Sequence, residues 1–127
     1  MAEKMIPLSG VVLETSDPRA LADFYRRLLG WEIVADEDNW VSLRGPDGSS
    51  KVSFQRDPDH RPPRWPSQAG QQQMQLHLDF QVDDLEAAQQ RAIDAGATLM
   101  DWQPQQEGVR VLADPAGHIF CLFLPGF

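Results

Sequence analysis

Between residues 75 and 82 the apolar Leu76, Leu78, Phe80 and Val82 alternate with the polar Gln75, His77, Asp79 and Gln81. A period of two marks a half-buried strand, so this stretch predicts a β-strand with one polar face. Asp83 or Asp84 then offers a helix N-cap, and Leu85, Ala88, Ala92 and Ile93 recur along one helical face. That helix is predicted to reach Ala95 and end at Gly96. Residues 97–102, 109–113 and 118–124 read as three further strands, the last two joined by the turn Asp114-Pro115-Ala116-Gly117.

The first half of the chain has the same order. Residues 7–15 read as a strand with Val11 and Leu13 on one face and Gly10, Val12 and Glu14 on the other. Asp17 is a good N-cap and Pro18 suits the first helical position. A helix is predicted over 19–29, with Leu21, Phe24, Tyr25 and Leu28 as its buried stripe and Gly30 as its terminator. Strands follow at 31–35 and 40–43 across an acidic turn at 36–39, and a last strand at 52–56 follows the turn Pro46-Asp47-Gly48.

The chain is thus a twofold repeat. Asp17 corresponds to Asp84 and Asp47 to Asp114, each at an offset of 67 residues. Two copies are too few for a solenoid. They predict two βαβββ modules, residues 6–56 and 75–125, fused in one α+β domain with helices covering mainly antiparallel sheets. Residues 57–74 join them. This linker carries Pro58, Pro62, Pro63 and Pro66 and a Gln71-Gln72-Gln73 run, which exclude a regular strand or helix. A connection of this length is either functional or a plain tether.

Composition narrows the class. With 127 residues, 42% of them hydrophobic, the chain suits one globular domain with a real core. Its net charge of −8 disfavours nucleic acid and anionic membrane surfaces as partners. The single cysteine, Cys121, excludes an intrachain disulfide. No apolar run is long enough for a membrane span, and the first residues lack the apolar core of a signal peptide. The expected location is cytoplasmic. Phosphate-cradling glycine loops, nucleophile elbows and paired-cysteine zinc motifs are all missing from the sequence.

Ser16-Asp17-Pro18, then Phe24 through Trp31, then His77-Leu78-Asp79-Phe80, Val82-Asp83-Asp84, Ala95-Gly96-Ala97 and Asp114 through His118 follow one another in an order that resembles the vicinal oxygen chelate superfamily. This is the glyoxalase, bleomycin-resistance and extradiol-dioxygenase group, and the likeness is greatest to its small glyoxalase-like proteins. The resemblance implies paired βαβββ modules curled around a cleft. It also implies a homodimer and four metal-ligand positions on the first and last strand of each module. In this sequence those positions are Gly10, Gln55, His77 and Cys121. Glycine offers no ligand, and cysteine stands where a carboxylate is commonest. A catalytic metal needs at least three fixed ligands, so no metal cofactor is expected.

Strand parity then predicts the lining of the implied cleft: Val12, Glu14, His77, Asp79 and Gln81 from the first strands, Ser53, Gln55, Ile119, Cys121 and Phe123 from the last. Apolar walls with a few polar anchors suit a small organic ligand. Trp65 in the linker is a candidate lid, and Phe127 a candidate subunit contact. Cys121, in an apolar strand, reads as a small hydrophobe with a raised thiol pKa. His77 reads as a hydrogen-bonded cleft residue or as a general base oriented by Asp79, with Glu14 as the other candidate catalyst. Two readings stay open: a metal-free binder of the drug-sequestering kind, and a lyase- or dioxygenase-type enzyme with a degenerate metal site or metal-free acid–base catalysis.

Overall fold

A computed structural model describes residues 4–48 and 50–127. Residues 1–3, part of the stretch read above for a signal peptide, lie outside the described residues.

The chain runs β1 (Val11–Thr15), α1 (Pro18–Leu29), β2 (Glu32–Glu37), β3 (Trp40–Arg44), β4 (Lys51–Arg56), β5 (Leu78–Gln81), α2 (Leu85–Ala95), β6 (Thr98–Leu99), β7 (Val109–Ala113) and β8 (Ile119–Phe123). This is βαβββ twice. Each module builds its own four-stranded sheet, in the orders β1-β4-β3-β2 and β5-β8-β7-β6. In each sheet the first strand runs parallel to the last, and the other two pairings are antiparallel. The sheets are therefore mixed, and neither closes on itself.

The helices form where the caps and apolar stripes require. The Asp17 carboxylate accepts from the Ala20 amide at 3.1 Å, and Asp84 accepts from Ala87 at 3.1 Å. Gly30 ends α1 in the left-handed conformation at φ 73°, which a side chain would resist. Leu21, Phe24, Tyr25 and Leu28 are all buried. Ile93, expected to face inward on α2, is instead exposed. The short side chains of Ala92 and Ala95 carry the buried face there, so α2 sits close without it.

One core joins the modules. Tyr25 stacks on Phe54 at 5.5 Å between ring centroids, and Phe24 meets Phe120 of the second sheet at 5.8 Å. The buried Tyr25 hydroxyl donates to the buried Asp114 carboxylate at 2.7 Å. Asp114 also accepts from the amides of Ala116 and His118, so it holds the β7–β8 turn to α1. A fully buried carboxylate needs such a set of donors.

Several strands are shorter than the alternation predicts. Residues 7–10 and 75–77 have the pattern but no ladder: β1 finds its partner only from Val11, opposite Val52, and β5 only from Leu78, opposite Phe120. The predicted strand at 97–102 shrinks to Thr98–Leu99. The acidic turn shrinks to Asp38-Asn39 because β2 pairs through Glu37. Among the described residues, no helix is long and apolar enough to cross a membrane.

Candidate functional site

The linker does not hang free. His60 Nε2 lies 2.8 Å from the Ala116 carbonyl, and its ring packs on His118 at 4.9 Å. His118 Nε2 in turn lies 2.6 Å from the Glu14 carbonyl. Further along, Trp65 stacks on Trp102 at 5.2 Å and donates from Nε1 to the Trp102 carbonyl. The linker is thereby fastened to the second module, and its residues border two separate hollows.

The hollow of the second module measures about 250 Å³. Trp65, Val109, Val111, Ile119, Phe123 and Phe127 supply its walls, and His77, Asp79, Cys121 and Gln105 its polar groups. Sheet register explains the convergence: Asp79 pairs with Cys121, and Cys121 with Val111. Residues in register share a face, so these side chains stand together. His77 Nδ1 lies 2.9 Å from Asp79 Oδ1. The Cys121 thiol, half-buried beside them, is pushed up to about 11 by burial first and then by the charge and hydrogen bond of Asp79. Phe127, the candidate subunit contact, sets its ring over Gly108 of its own chain and stays exposed on its other side. Its ring lies so close over Gly108 that a Cβ there would collide with it.

The hollow of the first module, about 390 Å³, holds Val12 and Glu14 together with Asp57, His60, Arg61 and His118. Glu14 is therefore not beside His77. Ser53 lines neither hollow. It is buried, and its hydroxyl shares a 2.7 Å hydrogen bond with that of Ser42. Gln55 is exposed on β4, and Gln81 borders a third hollow with Trp31 and Arg91. Sequence reasoning missed Val109 and Val111, although their parity on β7 could have placed them. It also missed Gln105, which lies in a segment with no periodic signal, and the stacking of Trp102 on Trp65, because the strand read over 97–102 ends at Leu99.

The ligand positions implied by the resemblance do not converge as a set of four. Ligand atoms of His77, Asp79 and Cys121 lie within 4.8 Å of one another, but Asp79 is not one of the implied positions. At Gly10 a Cβ would stand 2.6 Å from the Lys51 carbonyl oxygen, so β4 leaves no room for a ligand side chain there. The thiol of Cys121 is held protonated. The donor set does not fit the four-position metal centre of the group.

Paired βαβββ modules, each with its own open four-stranded sheet, define a glyoxalase-like architecture. Residues 10–123 match the family described as "Glyoxalase-like domain", and the chain belongs to that family. Among curated proteins no sequence matches it. Solved structures share the fold at low identity. A glyoxalase/bleomycin resistance protein/dioxygenase family enzyme from Burkholderia phytofirmans PsJN is 22% identical, with a TM-score of 0.71 over 94% of this chain and 98% of that one. TnmS3, an antibiotic binding protein from Streptomyces sp. CB03234, is 17% identical, with a TM-score of 0.67 over 98% and 100%. A mutant of the fosfomycin resistance protein FosX from Listeria monocytogenes, complexed with Mn(II) and 1S,2S-dihydroxypropylphosphonic acid, is 15% identical, with a TM-score of 0.68 over 94% and 90%.

Proposed function

We propose that this protein binds a small organic molecule in the hollow of its second module, as a cytoplasmic homodimer of the drug-sequestering or ligand-binding kind, without a catalytic metal. The observation that carries the reading is the composition of that hollow. Apolar and aromatic walls surround one cluster of polar groups, the usual make-up of a small-molecule site. Solved structures of the same fold include an antibiotic binding protein and a fosfomycin resistance protein, both concerned with small molecules. The acidic net charge of −8 argues against nucleic acid and anionic membranes as partners.

The test is thermal denaturation of the purified protein with a panel of aromatic antibiotics, alongside metal analysis of protein prepared without chelators. The expected results are a raised Tm with some panel members, abolished by Trp65→Ala, and less than stoichiometric metal. A Tm unmoved by every compound, or a tightly held stoichiometric metal lost in His77→Ala, overturns the reading.

One observation favours catalysis as a second reading. Asp79 engages Nδ1 of His77 and so leaves Nε2 as the nitrogen free for proton transfer. This enzyme would work by metal-free acid–base chemistry at His77 alone, because Glu14 faces the other hollow. Turnover that survives His77→Ala removes it.

A further inference from the structure

Resting on that reading of the hollow, we infer that its ligand is an aromatic cation, or a larger compound presenting a cationic aromatic end, with the positive group set on Asp79 and the ring held among Trp65, Phe123 and Phe127.

Three features point the same way. First, the hollow is lined by a carboxylate and by no lysine or arginine. The cations nearest in sequence are turned elsewhere. Arg110 on β7 donates to Gln89 on α2, and Arg64, beside Trp65, borders a different hollow with Arg61. His77 is the one titratable base at the site, and it is already bound to Asp79.

Second, three aromatic side chains, Trp65, Phe123 and Phe127, stand in the wall. A cation lying over Trp or Phe is attracted by the ring quadrupole, and an aromatic cation adds stacking to that attraction. Trp65 is braced by its stack on Trp102, so little freedom is lost when a ligand ring packs on it.

Third, Asp79 has acceptor capacity to spare. A carboxylate offers roughly four lone-pair directions. The His77 ring nitrogen and the Cys121 thiol occupy part of them. A ligand N–H can take another as a charge-assisted bond. A phosphonate or carboxylate ligand would meet only repulsion there. At about 250 Å³ the hollow lies below the roughly 300–1,000 Å³ of drug-sized sites, so it reads one ring system rather than a whole antibiotic.

Isothermal titration with three naphthalene probes of matched size tests this: naphthylmethylammonium, naphthylmethanol and naphthoate. The cation is expected to bind about tenfold or more tightly than the alcohol, the scale of one hydrogen bond to a charged group. Naphthoate is expected not to bind. Asp79→Asn, an isosteric change at an exposed residue, should erase the preference, bringing the cation's affinity down to the alcohol's in the same variant. Trp65→Ala should weaken both. Equal binding of cation and alcohol, or stronger binding of naphthoate, overturns the charge assignment and leaves the binding reading standing. Failure of all three probes to bind overturns both.

Discussion

The hydroxyl of Tyr25 on α1 donates to the carboxylate of Asp114 before the β7–β8 turn, across 89 residues of sequence, at 2.7 Å between two buried residues. It is a buried polar bond between the modules, set among the apolar side chains of their shared core. Tyr25→Phe keeps the ring and removes one donor from a buried carboxylate. The expected cost is about 1–3 kcal/mol, read as a lower urea midpoint with an unchanged m-value. An unchanged midpoint would show that the bond contributes nothing.

The same carboxylate gives the fold a pH dependence. Burial raises the Asp114 carboxyl above its ordinary range, against the hydrogen bonds from Tyr25, His118 and Ala116. The folded chain then holds this proton to higher pH than the unfolded chain does. Stability from this group is therefore present below the ordinary carboxylate pKa and declines as pH rises through the raised one. Urea midpoints across that window should fall with pH in the native protein and fall less in Asp114→Asn.

Ser42 and Ser53 satisfy each other in the interior of the first sheet. Ser53→Ala strands the Ser42 hydroxyl, at an expected cost of about 1–3 kcal/mol, whereas removing both hydroxyls is close to neutral. Additive losses in the double variant would refute the pairing. Ligand affinity is expected to be untouched in either case, because Ser53 does not reach a hollow.

Restoring a histidine at the first implied metal position is expected to fail. The Lys51 carbonyl occupies the space a Cβ would take at Gly10, and it is backbone, so the sheet edge must move. Gly10→His should lower the Tm and bind no more zinc than the native chain. A stoichiometric zinc site in that variant would contradict the packing.

Cys121 should be a slow nucleophile at neutral pH. With its thiol pushed up to about 11, alkylation by iodoacetamide should climb about tenfold per pH unit well beyond the ordinary thiol range. Asp79→Asn should bring the midpoint down. A rate plateau at or below about 9, the unperturbed value, would show that the burial and the carboxylate do not act on the thiol.

Much of this was legible in the chain itself. The helix caps at Asp17 and Asp84, the stripe from Leu21 to Leu28, the strand parities and the duplicated βαβββ order all follow from local periodicity, which one segment carries alone. The family likeness is legible for the same reason, since it rests on the order of those motifs. Parity also set His77, Asp79, Cys121 and Phe123 on polar or cleft-facing sides of their strands. It could not say which would meet.

That was decided by register and by the linker. Asp79 stands opposite Cys121 because β5 pairs with β8 in one alignment. Glu14 was parted from His77 because each module completes its own sheet, and the two side chains line different hollows, each bordered by the linker. Strand ends at Val11 and Leu78 were decided by where a partner begins, since a strand is a relation between two segments. Ser53 was buried, and Phe127 was folded over Gly108, by contacts with residues far along the chain. Periodicity determined what each segment is. Long-range hydrogen bonding and close packing, which no single segment contains, determined what each segment touches, and so where the protein has a site.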